Sequence, residues 1–223
     1  MDAAQVIVVP TMAMADRLRA FVDIDTYRIA HIPWGIPDRL LIRPPRRIPR
    51  SGGELRVLYA GRLTEEKGIS RLAGLLADVD GIRLSMAAPR REYAELAKSQ
   101  DLSAVDHLGW LRRPQLWRAF AEQDVLVVPS ATLEAFGLVA VEAQACGLPV
   151  AYRPVPGLTE ALGASGLALD LLTDPPGAVS SPAALRDDDG ALAELRRPGY
   201  RNAARFPLSA TAHALESLGA DIA

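Results

Sequence analysis

Short apolar runs and amphipathic helical windows alternate along nearly the whole chain, and this alternation limits the possible folds most. Several apolar runs have no polar position, which is typical of parallel strands covered on both faces. Helical spacing lies between them, as at Ile69, Leu72, Ala73 and Leu76. The alternation predicts an α/β fold with a Rossmann-like, doubly wound parallel sheet. Its strands are expected at residues 6–10, 27–32, 55–60, 82–86, 105–108, 124–128 and 149–152.

Composition and charge exclude several classes of function. A formal net charge of −2 argues against nucleic-acid binding by bulk charge. One cysteine and three scattered histidines leave neither an internal disulfide nor a zinc-binding spacing. The sequence contains neither a Gly-x-Gly-x-x-Gly dinucleotide motif nor a Gly-x-Ser-x-Gly nucleophile elbow. Because apolar runs are too short to span a bilayer and no basic leader opens the sequence, we expect a cytoplasmic protein.

A segment rich in proline and arginine divides the chain. Four arginines and three prolines fall between residues 43 and 50. We expect residues 37–53 to form a stiff, extended linker whose basic side chains stay in water, rather than a patch for anionic lipid. Residues 1–36 are then a strand–helix–strand unit, and residues 54–170 hold the main set of βα units. Residues 171–223 are predicted to form a loop followed by C-terminal helices.

The loop after the strand at 55–60 brings two cations to the expected ligand-binding edge of the sheet. It reads GRLTEEKG over residues 61–68. Gly61 lets the backbone turn sharply and lets a ligand approach it. Arg62 and Lys67 would lie beside the start of the next helix, where two cations form an anion site suited to a diphosphate. The alternative is that both cations pair with the two glutamates between them.

A second cluster of polar groups follows the most apolar predicted strand, DVLVV. Glu134 lies in the loop after it, and Glu142 lies on the helix that starts near Gly137. The amides around Phe136, Gly137 and Leu138 would point out of the start of this helix, ready for phosphate or sugar oxygens. Carboxylates suit a polyhydroxy ligand because they accept from neighbouring hydroxyls. Taken alone, the two glutamates could also be a residue near a helix cap and an exposed helix residue.

These two segments together resemble the donor-binding half of the retaining, GT-B-fold glycosyltransferases of family 4. The signature of that family is two glutamates separated by seven residues and preceded by an Arg/Lys pair. Glu134 and Glu142 match the first part, and Arg62 and Lys67 match the second. The resemblance covers most of residues 6–170, and its first part is similar to the end of the family's N-terminal domain.

The resemblance implies a role for each of these residues. Arg62 and Lys67 would bind the donor diphosphate and neutralise it as it leaves, close to Gly61. Glu142 would hold the ribose hydroxyls of the nucleotide, and Glu134 would contact the donor sugar. Backbone amides at the start of the following helix would contact sugar or phosphate. Glu134, Arg62 and Lys67 are the residues assigned to catalysis. No metal cofactor is implied, since the cations do the work of a metal.

The resemblance also implies which partners the chain has. The expected partners are a nucleotide sugar and an unknown acceptor, and no residue can be assigned to acceptor binding. The strands predicted in residues 1–36 would lack neighbours, so we expect association with an N-terminal domain or with another copy rather than folding back on the C-terminal helices. Two other functions stay open: a non-catalytic nucleotide-sugar-binding or interaction module, and a GT-B-fold sugar-nucleotide epimerase.

The remaining polar and aromatic candidates give weak signals. The loop GWLRR after Leu108 offers no carboxylate to guanine, which disfavours that base without choosing between uracil and adenine. Cys146 is expected to be a small buried residue. The isolated histidines are expected to be structural: His31, His107 and His213. The tryptophans show no clustering that suggests a stacking platform: Trp34, Trp110 and Trp117.

Overall fold

The structure is a computed structural model that describes residues 6–21, 29–50, 52–77, 79–169, 185–186 and 188–222. Its strands are β1 (Ile7–Val9), β2 (Ile29–His31), β3 (Leu55–Ala60), β4 (Ile82–Ala87), β5 (Asp106–His107), β6 (Val125–Val128), β7 (Val150–Tyr152) and β8 (Leu167–Ala168). Its α-helices are α1 (Met12–Phe21), α2 (Asp38–Ile42), α3 (Ile69–Ala77), α4 (Arg90–Leu96), α5 (Arg113–Glu122), α6 (Leu138–Ala145), α7 (Pro156–Leu162), α8 (Asp189–Ala203) and α9 (Leu208–Asp221).

Six of these strands form one parallel sheet, in the order β5-β4-β3-β6-β7-β8. Strand β6 lies near the centre of the sheet, and all four of its residues are buried. Its register pairs Val57 of β3 with Val125, and Leu126 with Val150 of β7. A run of four apolar residues fits this position because helices cover both of its faces.

Helices cover both faces of the sheet and divide the core into two layers. On one face, α3 buries Ile69, Leu72 and Leu76. On the other face, α5, α6 and α7 bury residues such as Phe120 and Val141. The predicted doubly wound parallel sheet is therefore confirmed. In the described part of the chain, no helix combines the length and apolarity needed to cross a membrane.

The N-terminal unit folds back on the main domain. Strands β1 and β2 pair with each other in parallel, and among described residues neither has a second neighbour. Glu160 of α7 accepts hydrogen bonds from the amides of Met12 and Ala13, at 2.8 and 3.0 Å. The Ile36 amide donates to the carbonyl of Phe206, which lies just before α9. The Ile36 carbonyl accepts from the amide of Leu208, the first residue of α9. The expectation that this segment would not fold back is wrong, because its backbone amides find acceptors on α7 and at Phe206, and its Ile36 carbonyl accepts from the first residue of α9.

The linker is also bound to the main domain. Part of it is the helix α2, and Arg47 donates to the carbonyl oxygens of Phe120, at 3.0 Å, and Gln123. The Ile48 amide donates to the Ala121 carbonyl at 2.9 Å. These carbonyls at the end of α5 need donors from outside the helix. Burial lowers the pKa of Arg47 to about 10. The prediction of an extended linker with all its basic groups in water is therefore wrong.

Four further elements are absent from the sequence-based prediction: α2, α4, α7 and β8. The C-terminal helices are present as α8 and α9, whereas most of the preceding predicted loop lies outside the described residues. The carboxyl ends of β3, β4, β5 and β6 meet at one edge of the sheet, as the parallel pairing requires. This edge is where the predicted site residues are found.

Candidate functional site

A cavity of about 400 Å³ opens at the carboxyl edge of the sheet. Residues from the ends of β3, β4 and β6 and from the loop after β5 line it. The cavity brings together seven of the eight residues predicted for the site: Gly61, Arg62, Lys67, Glu134, Gly137, Leu138 and Glu142. The side chain of the eighth, Phe136, is buried and packs edge to face on Phe206, with ring centroids 5.1 Å apart.

The loop that carries the two cations is held by side chains from the strand before it and from α4. The Tyr59 hydroxyl donates to the Arg62 carbonyl oxygen. The Glu92 carboxylate accepts from the Leu63 amide at 2.6 Å. Burial raises the pKa of Tyr59, so that its hydroxyl remains a donor at neutral pH. These two contacts fix the peptide group that follows the Arg62 side chain.

At Gly68 this loop packs closely against the loop that follows β6. It adopts a φ of +66°, and a Cβ atom there would lie 2.1 Å from the Pro129 carbonyl oxygen. Next to this contact, the Ala131 amide donates to the Glu66 carbonyl at 2.7 Å. A side chain at position 68 would separate the two loops. The glycine thus allows Lys67 of one loop to lie against the Glu134 carboxylate of the other.

The two cations have different surroundings. Lys67 forms an ion pair with Glu134, and the Ser130 hydroxyl also donates to Glu134, at 3.1 Å. Arg62 is exposed, and no carboxylate among the described residues forms an ion pair with it. Among the described residues, Glu65 and Glu66, which lie between the two cations, form an ion pair with neither of them. The alternative of a loop neutralised by its own glutamates is therefore wrong, and Arg62 can accept an anion.

Glu142 lies on α6 with its carboxylate buried at the wall of the cavity. Only 3% of the residue is exposed. The Trp117 indole donates to Oε2 at 3.3 Å, and Arg113 Nε lies 3.1 Å from Oε1 without forming an aligned hydrogen bond. Burial raises the pKa of Glu142, against the opposing effects of Arg113 and Trp117. Glu142 is thus not an ordinary exposed helix residue, and Oε1 is a buried acceptor that has no aligned donor among the described residues.

The loop that presents Glu134 is fixed by close backbone packing. A Cβ atom on Gly157, at the start of α7, would lie 1.7 Å from the Glu134 carbonyl oxygen. The Thr11 hydroxyl of the N-terminal unit donates to the neighbouring Ala135 carbonyl at 2.9 Å. Pro156 stands at the first turn of α7, where its missing amide hydrogen costs nothing. Both flanking elements therefore determine where the Glu134 carboxylate lies.

Sequence reasoning missed several side chains of the site. Trp34 and Trp110 both line the cavity, and Trp117 donates a hydrogen bond to Glu142, although the tryptophans show no clustering in the sequence. The position of Trp110 at the site could have been predicted, because it follows a strand whose carboxyl end lies at the ligand-binding edge of the sheet. No comparable signal was available for Arg113, because an exposed arginine in the first turn of a helix is common.

The other residues interpreted as structural lie outside the cavity. His107 stacks on Tyr93, with ring centroids 4.0 Å apart. Cys146 is buried, and burial raises the pKa of its thiol to about 12, as expected for an unreactive residue. The ranges that the structure describes contain no group of three or more His, Cys, Asp or Glu side chains placed to hold a metal ion.

Comparison with known proteins connects this site to a family. The profile of the family described as glycosyl transferases group 1 matches residues 44–175. A D-inositol 3-phosphate glycosyltransferase of Thermobispora bispora is 39% identical over 146 residues, which are 65% of this chain and 28% of that protein. The chain spans about half or less of the length of the first curated relatives, between 28% and 53%.

Solved structures show the same fold at low sequence identity. Sucrose-phosphate synthase of Thermosynechococcus elongatus aligns with a TM-score of 0.80 at 24% identity, over 97% of this chain and 58% of that one. Anabaena Alr3699/HepE, solved in complex with UDP and glucose, aligns with a TM-score of 0.79 at 18% identity, over 97% and 63%. The predicted GT-B fold class is confirmed by these similarities.

Proposed function

The chain belongs to the family of glycosyl transferases group 1, and on that premise we propose that it binds the nucleoside-diphosphate sugar donor of a retaining transfer reaction. The observation that carries the proposal is a cavity that collects three cations and two carboxylates at the carboxyl edge of the sheet. That edge is where open parallel sheets bind ligands. The bound UDP and glucose of one structural neighbour support the same ligand class.

The diphosphate is assigned to Arg62 and Lys67. Arg62 is exposed and free to form charge-assisted hydrogen bonds with phosphate oxygens. Lys67 would exchange its ion pair with Glu134 for a phosphate oxygen. When the bond between the anomeric carbon and the diphosphate oxygen breaks, the bonding electrons stay on the diphosphate. The two cations would stabilise that added negative charge, so that no metal ion is required.

The nucleoside is assigned to the Glu142 end of the cavity. The Oε1 atom has no aligned hydrogen-bond donor within the described protein and can accept from a ribose hydroxyl. Arg113 and Trp117 hold the carboxylate in place from the other side. Trp110 is 63% exposed and lines the same cavity, which suits contact with a planar base.

The sugar is assigned to the Glu134 end, next to the start of α6. That helix begins at Leu138, and its first amides lack partners within the helix. They would bind sugar or phosphate oxygens while Glu134 accepts from sugar hydroxyls. Retention at the anomeric carbon is part of the proposal, as for the retaining enzymes that the sequence resembles. A reducing compartment such as the cytoplasm suits a chain with one free cysteine.

The proposal is tested by calorimetry on the chain with uridine, guanosine and adenosine diphosphates. We expect binding of the uridine or adenosine compound. Substitution Arg62→Ala should weaken it roughly ten- to a hundred-fold, since a charge-assisted hydrogen bond contributes about 1.5–3 kcal/mol. The matched control is Arg91→Ala, which removes an exposed arginine on α4 outside the cavity.

Two outcomes would contradict the proposal. Failure to bind any of the three diphosphates would exclude a donor site. An equal loss of affinity in Arg62→Ala and Arg91→Ala would show general charge attraction instead of a defined diphosphate site.

A further inference from the structure

A second cavity, of about 700 Å³, lies between α2 and α5. It shares no lining residue with the proposed donor cavity. We call this surface the α2 groove and define it by Arg39, Ile42, Arg43, Trp117 and Arg118, all of which line it. The groove therefore combines an apolar floor with three arginines and includes no carboxylate.

Two large apolar side chains are exposed at the groove and directly after it. Ile42, at the end of α2, is 74% exposed, and Ile48 is 50% exposed. The hydrogen bond from the Ile48 amide to Ala121 fixes this segment on α5. The segment is thus held against the domain while the side chains of Ile42 and Ile48 stay exposed to solvent.

The arginines around these isoleucines are not neutralised. No carboxylate of the described residues forms an ion pair with Arg43, Arg46 or Arg118, and all three are exposed. The Arg39 guanidinium lies over the Trp117 ring, 5.3 Å from its centroid, and covers that ring face. The surface thus presents exposed hydrocarbon beside three arginines that form no ion pair with any described carboxylate.

We propose that the α2 groove, together with the segment that follows it through Ile48, docks on a lipid bilayer that contains anionic headgroups. Arginines placed at such a surface pair with lipid phosphates, while exposed isoleucines enter the boundary between headgroups and acyl chains. Charge complementarity alone would also suit a nucleic acid. However, a phosphodiester backbone would not contact exposed isoleucines favourably. The Trp117 ring is buried and covered by Arg39, so no base can stack on it.

Docking through this groove would place the donor cavity close to the membrane. Helix α5 separates the two cavities: Pro114 and Trp117 face the groove, whereas Arg113 and Leu116 face the donor cavity. The diameter of one helix, about 10 Å, therefore sets the distance between them. Trp117 is shared, since it lines the groove and contacts Glu142 of the donor site. The residues changed in the test below do not line the donor cavity, so membrane binding is tested independently of that function.

The experiment measures co-sedimentation of the chain with lipid vesicles. We expect binding to vesicles made of equal parts phosphatidylcholine and phosphatidylglycerol, and little binding to phosphatidylcholine alone. The double variant Arg43→Gln/Arg46→Gln should weaken binding roughly 25-fold, at about five-fold for each arginine near the surface. The double variant Ile42→Ser/Ile48→Ser should weaken it roughly ten-fold at unchanged charge.

The matched control is Arg91→Gln/Leu215→Ser, which removes one exposed arginine and one exposed leucine outside the groove and should bind as the parent does. Circular dichroism of each variant checks that it is folded. Equal binding to neutral and anionic vesicles, or no binding to either, would overturn the proposal. Binding to heparin that depends on the arginines but not on the isoleucines would instead assign the groove to a soluble polyanion.

Discussion

The two ends of the donor cavity are built in different ways. At the α6 end, Glu142 is buried and is held by Arg113 and Trp117, which lie on a helix. At the loop end, Lys67 and Glu134 lie on two loops and are paired with each other. One end is therefore arranged for its ligand in advance, whereas the other must exchange an internal ion pair for contacts with the ligand.

Because of this difference, the two ends of the cavity affect the stability of the fold and the affinity for a ligand in different ways. Burial of Glu142 disfavours its charged form, so the α6 end keeps a binding group at a cost to folding. The loop end depends on backbone contacts that admit no side chain, at Gly68 and Gly157. We therefore expect substitutions at the two ends to move stability and affinity in different combinations.

The largest expected effect is that of Gly157→Ala, which disrupts the loop end. The added Cβ would lie 1.7 Å from the Glu134 carbonyl oxygen, a backbone atom that cannot rotate away. Either α7 or the Glu134 loop must shift, and we expect the free energy of unfolding to fall by about 3 kcal/mol. Urea denaturation measures the change, and calorimetry should show weaker binding of a nucleotide sugar.

The control for this variant is Gly219→Ala on α9. A Cβ there meets no atom within 4 Å, and alanine favours a helix. Its stability should be unchanged or slightly higher. If Gly157→Ala is as stable as this control, the Glu134 loop is not fixed by the start of α7, and the proposed difference between the two ends is lost.

The second prediction concerns Glu142→Gln, which tests the prearranged end. Loss of the carboxylate should weaken nucleoside diphosphate binding by about 2 kcal/mol, the contribution of a charge-assisted hydrogen bond. The free energy of unfolding at neutral pH should be unchanged or higher, because the neutral amide avoids the desolvation of a buried charge. Calorimetry and thermal unfolding measure the two effects on the same samples.

The pH dependence of this variant follows from the raised pKa of Glu142. Above its ordinary value of 4.5, the folded protein binds the proton more tightly than the unfolded chain does. The contribution of Glu142 to stability therefore falls as the pH rises through the raised pKa, and the advantage of the glutamine variant grows. Glu122→Gln, an exposed change on α5, is the control. Lower stability of Glu142→Gln than of this control at neutral pH would contradict the prediction.

Much of the fold could be predicted from the sequence because its signals are local. The apolar run of β6 and the helical spacing at Ile69, Leu72 and Leu76 each specify an element without reference to distant residues. The linker could not be predicted in this way. The role of Arg47 depends on carbonyls at the end of α5, more than seventy residues away. A basic side chain next to prolines gives no local sign of such a partner.

The site shows the same limit. The Arg62, Lys67, Glu134 and Glu142 pattern could be found because a family signature specifies their spacing. The pairing of Lys67 with Glu134 could not, since adjacent glutamates were equally plausible partners in the sequence. Only the close approach of two loops at Gly68, where Pro129 and Ala131 contact the cation loop, decides between them.

The smallest expected effect is that of Glu134→Gln, which tests whether the ion pair at the loop end competes with the ligand. If the Lys67–Glu134 ion pair competes with the ligand, its removal frees Lys67 for phosphate. Because the pair is partly exposed, we expect a gain of about 1 kcal/mol or less in the affinity for a nucleoside diphosphate. The extra affinity that a sugar adds should fall, since Glu134 is the proposed sugar contact. Calorimetry with the diphosphate and with its sugar conjugate separates these two effects.

The control is Glu66→Gln, which removes the charge of an exposed neighbour of Lys67 that forms no ion pair in the described residues. It should change the affinity for the diphosphate less than Glu134→Gln does and leave the contribution of the sugar intact. Weaker diphosphate binding by Glu134→Gln would mean that Glu134 holds Lys67 in its binding position instead of competing for it. In that case both ends of the cavity would be arranged in advance, and the contrast between them would lie in burial alone.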